Sequence, residues 1–246
     1  MFFLYAYNVL FISNPAWTNF LYDGLDFSDF EVGLLYTLGS ILGAVGLWAY
    51  DRYFFNHEWP WLYIWTTLTN GAFSFLQLCL LYKWTFGVPK FWFATGDYAI
   101  QSAISYICFM PMCIMFLSLI PPGTEGTLYA LITTWQNVAG EMGYDIGTFL
   151  ECIWPVSNSA LENGNWGNMI TLTYVTSFCQ CLPVCFVYLS YKGVRVLPNN
   201  KEDTKRQQNM DNTSTAGATA YFALFYGSIV ASLFEAIWVI WDPNAC

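Results

Sequence analysis

The fifth apolar stretch of the 246-residue chain carries its densest set of ionisable and polar side chains. Thr134, Asn137, Glu141, Asp145 and Thr148 follow one another at spacings of three, four, four and three residues. This spacing places all five on one face of an α-helix. Two carboxylates one helical turn apart repel each other, so one of them can hold a proton, as a proton-coupled carrier requires. The stripe predicts the wall of a cavity, with hydrogen bonding to neighbouring helices as the structural alternative.

A second polar stripe begins the fourth apolar stretch, where Asp97, Gln101 and Ser105 are spaced four residues apart. That spacing again places them on one helix face. Because Asp97 lies near the predicted start of this helix, the simpler interpretation is that it caps the helix or favours its positive end.

Neutral amides also occur at membrane depth, at Asn8, Asn14, Asn19, Asn70, Gln77 and Gln136. Such residues often hold helices together. They would equally serve a planar heteroaromatic ligand, together with the many aromatic rings of this chain. Composition leaves both interpretations open.

The elements that carry these residues are predicted to be membrane-spanning helices. The chain is 56% hydrophobic and only 10% charged, whereas soluble domains are about 25% charged. A hydrocarbon core of about 30 Å needs roughly 20 apolar helical residues, and seven stretches reach that length. They run over Phe2–Tyr22, Phe30–Tyr50, Trp59–Tyr82, Thr95–Ile120, Gly126–Ile153, Asn168–Tyr191 and Ala216–Ile240.

The charged residues predict an orientation and exclude one class of partner. Six of the eight Lys and Arg residues follow the second and sixth stretches, which places those ends in the cytoplasm, or in the stroma of a plastid. The net charge of −9 argues against binding to nucleic acid. Residues 196–215 are predicted to be a polar linker. The stretch after it contains Glu235, and it either spans the bilayer or lies at the interface.

The cysteines and the single histidine do not form a metal motif. Seven of the eight cysteines, Cys152 among them, lie within or beside apolar stretches and are predicted to be small buried hydrophobes. His57 is remote from them, and no Ser/His/Asp set or phosphate loop is present. The sequence therefore predicts no metal, no cofactor and no enzyme activity.

Prolines and glycines predict where the helices bend and where they pack closely. Pro15, Pro111 and Pro183 fall within the first, fourth and sixth stretches, where each removes a helical hydrogen bond and is expected to bend the helix. Gly39-x-x-x-Gly43, with Gly33 and Gly46 on the same helix, allows a close approach to a neighbouring backbone.

Several segments, taken in order, resemble one family of membrane carriers. Met110-Pro111, the run Ile120 to Leu131 (IPPGTEGTLYAL) and Asn137 together are similar to the signature of folate–biopterin transporters. The run Leu25-Asp26-Phe27-Ser28 resembles that family's Gly-Phe-Ser turn, with Asp26 in place of glycine. Gly96-Asp97 resembles the Gly-Asp pair that starts its tenth helix.

This resemblance implies an all-α, polytopic membrane helix bundle of the major facilitator superfamily. Residues 1–195 would form the C-terminal six-helix half, 196–215 the linker, and 216–246 an extra helix without a counterpart in the family. The segment Gly46 to Arg52 is similar to the superfamily's inner-loop gating motif, which implies gating roles for Gly46, Asp51, Arg52 and Glu125. In such carriers the solute site lies between two bundles near the membrane midplane.

The resemblance further implies transport of a pteridine-like solute by alternating access, with proton coupling through Glu141 or Asp145 and with Asp97, Gln101 and Asn137 facing the cavity. The expected partners are the lipid bilayer and a second six-helix bundle or other membrane subunits. Six helices of the family are missing from this chain. The alternative function is therefore a non-transporting structural subunit of a larger membrane complex. The membrane itself stays open between the plastid envelope, the plasma membrane and the mitochondrion.

Overall fold

The computed structural model describes residues 2–119, 123, 125–191, 202 and 215–241. Helices are the only regular elements in this part of the chain. They are α1 (Phe2–Leu10), α2 (Trp17–Asn19), α3 (Asp29–Ala49), α4 (Trp59–Leu81), α5 (Lys90–Leu119), α6 (Glu125–Ile153), α7 (Asn158–Glu162), α8 (Gly167–Cys181), α9 (Pro183–Tyr191) and α10 (Thr215–Trp241), with π-helical turns at Phe20–Gly24 and Tyr50–Phe54.

Four of these helices are both long enough and apolar enough to cross a membrane. They are α3 with its π-helical turn, α4, α5 and α10. The 29 residues of α6 extend over about 43 Å, but its polar stripe lowers its hydropathy. The chain is thus an all-α polytopic membrane helix bundle.

The first and sixth predicted stretches are not the continuous helices that their hydropathy suggested. The first is interrupted after Leu10, and its helix resumes only at Trp17, on the far side of Pro15. The residue before a proline disfavours the helical conformation, which explains why the break falls there. The sixth is divided at Leu182, because Pro183 begins a new helix. By contrast, α5 stays helical through Pro111.

Helix α3 packs closely against α5 because three glycines remove the side chains between them. Gly39, Gly43 and Gly46 are buried on the face of α3 that meets α5. A Cβ atom on Gly46 would overlap the carbonyl oxygen of Ala103 in α5, so the two backbones are in direct contact. This confirms the predicted glycine contact, which fixes the position of α5 relative to α3.

Helix α4 is the element that ties the bundle together. Its buried face packs against α5, α8 and α9. At one contact the hydroxyls of Ser74 and Ser177 lie 2.7 Å apart, which joins α4 to α8 through a buried hydrogen bond. A buried hydrogen bond between helices satisfies polar groups that lipid cannot solvate.

Helix α10 belongs to the bundle because it packs on α6 and α1. The ring of Trp135 in α6 stacks on Tyr221 of α10, with ring centroids 3.9 Å apart. The hydroxyl groups of Tyr5 in α1 and Ser228 in α10 form a hydrogen bond. The opposite face of α10, with Phe234 and Ile237, is exposed and apolar, as expected for contact with lipid.

The cysteines and the predicted linker differ in part from the sequence predictions. Six cysteines are free in the described residues, but five of them are only half-buried and Cys185 is exposed, so the prediction that they are buried hydrophobes is wrong for Cys185. Cys152, at the end of α6, is disulfide-bonded, so the prediction of a buried hydrophobic thiol is wrong for this residue. The predicted linker 196–215 lies outside the described residues, apart from Glu202 and Thr215.

Candidate functional site

A buried carboxyl group on α5 forms the centre of one polar cluster. Asp97 is 4% exposed. Its Oδ2 accepts hydrogen bonds from Gln101 Nε2 at 2.8 Å and from Gln77 Nε2 at 3.2 Å. Its Oδ1 has no hydrogen-bond partner among the residues that the structure describes. In the described part of the chain this carboxyl group is therefore held by two neutral amides.

This environment contradicts the interpretation of Asp97 as a helix cap. Helix α5 begins at Lys90, five residues before the predicted start at Thr95. Asp97 therefore lies about two turns inside the helix, where backbone N–H groups already bond within the helix. Its side chain points to Gln77 of α4 instead.

A cavity of about 150 Å³ lies between α1, α4, α5 and α6. Its wall contains amides, hydroxyls and aromatic rings. The lining residues are Tyr7 and Asn8 of α1, Phe11 directly after α1, Thr66 and Asn70 of α4, Ile104, Ser105, Cys108, Phe109 and Met112 of α5, and Gln136 of α6. Asn70 is buried, whereas Ser105 and Phe109 are exposed. The cavity thus has a floor at α4 and a mouth beside α5.

Two helix faces connect the cavity with the Asp97 cluster. On α5, Ser105 lies one turn from Gln101, which bonds to Asp97. On α4, Asn70 lies about two turns from Gln77 and on the same face. The predicted stripe of Asp97, Gln101 and Ser105 therefore follows a polar seam between α4 and α5 that ends at the cavity.

The residues of the α6 stripe have three different environments. Asn137 and Glu141 are exposed on the bundle surface, and neither lines the cavity. Asp145 is half-buried, and its Oδ2 accepts a hydrogen bond from Ser232 Oγ of α10. The hydroxyls of Thr134 and Thr148 donate to carbonyls of α6 itself. The periodic spacing correctly places these residues on one face of α6, but α10 covers only part of that face.

The residues of the predicted gating motif also separate. Gly46 is buried against α5, whereas Asp51 and Arg52 are exposed in the π-helical turn that follows α3. Glu125 is the first residue of α6, and its side chain lies outside the described residues.

Three amide residues of these clusters were not predicted as site residues from the sequence. Gln77 holds Asp97, Asn70 forms the floor of the cavity, and Gln136 of α6 lines it where its neighbour Asn137 does not. The spacing of seven residues between Asn70 and Gln77 was the available signal, because it places both on one face of α4.

The chain matches one family over most of its length. The model of the BT1 family matches residues 1–211, so that α10 lies beyond the matched region. No solved structure matches the chain.

Curated relatives are longer than this chain. It is 26% identical to the folate-biopterin transporter of Synechocystis sp. over 202 residues, which cover 81% of the chain and 39% of that protein. Identity to the probable folate-biopterin transporter 2 of Arabidopsis thaliana is 27% over 173 residues, or 70% of the chain and 34% of that protein. Folate transporter 1 of Plasmodium falciparum is 22% identical over 210 residues, 83% of the chain and 39% of that protein.

The chain therefore spans less than half the length of each of these three relatives. The matched region includes every helix that carries the Asp97 cluster and the cavity. With its membrane-spanning helices, this integral membrane protein belongs to the BT1 family.

Proposed function

We propose that this chain acts as one half of a secondary transporter for a folate-like or pteridine solute. The solute would move by alternating access, in a pathway completed by a second six-helix bundle. Membership of the BT1 family and the names of the relatives support a carrier. The exposed mouth of the cavity beside α5 supports a site that faces such a partner.

The buried carboxyl group of Asp97 is the observation that carries the proposed proton coupling. An isolated carboxylate within a spanning helix costs roughly 2.5–3.5 kcal/mol on insertion scales. Two amides stabilise one oxygen of Asp97, and the other oxygen has no hydrogen-bond partner within the described part of the chain. Binding and release of a proton at this oxygen would change the charge next to the polar seam that leads to the cavity.

The acids of α6 are the other candidates for proton coupling. Glu141 is exposed on the bundle surface, where a second bundle would have to cover it. Asp145 accepts a hydrogen bond from Ser232 of α10. The proposal gives the first role to Asp97, because it is the most enclosed of the three and lies on the seam.

Uptake into membrane vesicles tests the proposal. Vesicles from cells that express the chain, alone or with the first half of the Synechocystis transporter, are given labelled folate or biopterin under an imposed pH gradient. We expect gradient-driven accumulation when both halves are present. Asp97→Asn should reduce accumulation to the level seen without a gradient, while exchange of internal for external solute continues. Asp29→Asn is the matched control, because Asp29 is an exposed carboxyl group at the start of α3.

Several outcomes would contradict parts of the proposal. Gradient-driven uptake that survives Asp97→Asn would remove this carboxyl group from the coupling step. Full transport after both Glu141→Gln and Asp145→Asn would remove the acids of α6. Failure of the wild-type chain to transport in either arm would contradict the carrier function itself.

One observation favours the alternative of a non-transporting subunit. Helix α10 lies beyond the family match, yet it packs on α6 and α1 and presents a second apolar face to its surroundings. A subunit of a larger membrane complex would use such an added surface for assembly. Stable co-purification of the chain with other membrane proteins, combined with no uptake, would support this alternative.

A further inference from the structure

One residue lining the cavity between α1, α4, α5 and α6 has a buried side-chain oxygen that is not hydrogen-bonded in the described part of the chain. Asn70 is 4% exposed and lines the cavity, and its Oδ1 has no hydrogen-bond partner among the described residues. Buried acceptors in folded proteins are nearly always paired, so this oxygen calls for a donor. A ligand bound in the cavity would supply one.

The other buried polar groups of the wall are already engaged within the protein. The hydroxyl of Tyr7 lies 2.9 Å from Thr67 Oγ1. The hydroxyl of Thr66 donates to the Leu62 carbonyl at 2.8 Å. On α1, Asn8 Nδ2 donates to the Leu4 carbonyl at 2.8 Å. The unpaired acceptor of Asn70 therefore favours a ligand that carries an N–H donor.

The rest of the wall indicates the shape and charge of the ligand. Phe11, Phe109 and Met112 provide apolar and aromatic surface against which a planar ring can stack. The lining described above contains no charged side chain, so it favours a neutral group. A water occupies about 30 Å³ in the liquid, so a volume of about 150 Å³ corresponds to about five waters, which is enough for a small ring system but not for a long solute.

We propose that this cavity binds the neutral heteroaromatic ring of the solute, with Asn70 Oδ1 accepting a hydrogen bond from a ring or exocyclic N–H group. Gln136 lies on the α6 side of the same cavity and contacts another edge of the ring. The charged part of a larger solute stays outside the mouth beside α5. This inference rests on the proposed function for its solute class, but the ring site lies within one bundle and needs no second half.

Binding to the purified chain in lipid nanodiscs tests the proposal without requiring transport. The probe is labelled biopterin, measured by equilibrium dialysis. Asn70→Leu preserves the size of the side chain but removes the acceptor, and we expect it to weaken binding about tenfold, the effect of one lost hydrogen bond. Asn19→Leu is the matched control, because Asn19 is exposed on α2 and remote from the cavity lining. Unchanged affinity in Asn70→Leu would overturn the assigned contact.

A competition experiment on the wild-type chain avoids any effect of the substitution on folding. Unlabelled pterin, a neutral bicyclic ring, should displace labelled biopterin. The p-aminobenzoylglutamate part of folate carries the negative charges and should not displace it. Displacement by p-aminobenzoylglutamate, or no binding of biopterin by the chain, would overturn the ring site.

The two proposals fail separately. If the chain binds biopterin through Asn70 but vesicles show no uptake, the ring site stands and the carrier function is wrong. If uptake occurs and Asn70→Leu leaves biopterin affinity unchanged, the carrier function stands and the ring site is wrong.

Discussion

The contact between Gly46 and Ala103 predicts a sharp difference between two glycines of the same helix. A Cβ atom at Gly46 would overlap the Ala103 carbonyl oxygen and lie 3.0 Å from its carbonyl carbon, whereas ordinary contact begins at 3.4 Å. The obstacle is backbone, which cannot rotate away as a side chain can. Gly46→Ala must therefore move α3 away from α5. Gly33→Ala meets nothing within 4 Å and serves as the matched control.

The expected magnitude follows from the costs of overpacking and of helix propensity. Overpacking a close contact costs about 1–3 kcal/mol. Alanine is favoured over glycine in a helix by roughly 0.5–1 kcal/mol, and this gain applies to both variants. Gly33→Ala should therefore be neutral or slightly stabilising. Gly46→Ala should be less stable than Gly33→Ala by about 1–3 kcal/mol, the overpacking cost alone.

Thermal unfolding of the purified chain in detergent measures this difference. For a chain of this size, 1 kcal/mol shifts the unfolding midpoint by roughly 2–4 °C. A difference of about 2 kcal/mol between the two variants would thus separate their midpoints by roughly 4–8 °C. Because α5 carries Asp97 and five of the eleven residues that line the cavity, Gly46→Ala should also weaken biopterin binding. Equal midpoints for Gly46→Ala and Gly33→Ala would refute direct backbone contact between α3 and α5.

Two further predictions concern α10 and the start of α3. Trp135→Leu removes the ring stacked on Tyr221 and should lower the stability of the bundle by about 1–3 kcal/mol. Trp241 is 88% exposed, so its control variant Trp241→Leu should lie within about 0.5 kcal/mol of wild type in the same thermal assay. Equal losses of stability in the two variants would show that α10 does not depend on this stack. Ser28→Ala breaks the capping box with Glu31 and should cost about 1 kcal/mol. Ser40→Ala is its control, because that exposed hydroxyl only donates to the carbonyl of Tyr36, and a loss as large as that of Ser28→Ala would contradict a capping role.

Much of the architecture could be predicted from the sequence because lipid imposes simple requirements on it. Backbone groups in hydrocarbon must bond within their own segment, so long apolar stretches form helices. The glycines of α3 indicated a close contact because only glycine leaves room for a neighbouring backbone. Pro15 and Pro183 indicated where the first and sixth stretches are interrupted, although hydropathy alone predicted each stretch as one continuous helix.

The chemistry of individual residues could not be predicted in the same way, because it depends on helix boundaries and neighbours. The predicted start of α5 was five residues late, and this error made Asp97 look like a cap. Its partner Gln77 is on another helix, and no pattern within α5 identifies it. Periodicity selected Asn137 for the cavity, whereas the rotation of α6 places Gln136 there.

The sequence by itself determined that this is a helical membrane protein with scarce, periodically placed polar residues, and its motifs identified the family. Only the tertiary structure decided which of these residues meet. Hydropathy and periodicity act along one helix, but burial and hydrogen bonding depend on which faces of different helices are in contact. For that reason Asp97 accepts a hydrogen bond from Gln77 of α4, and Asp145 accepts one from Ser232 of α10. For the same reason Asn70 at the floor of the cavity has a buried oxygen without a hydrogen-bond partner among the described residues.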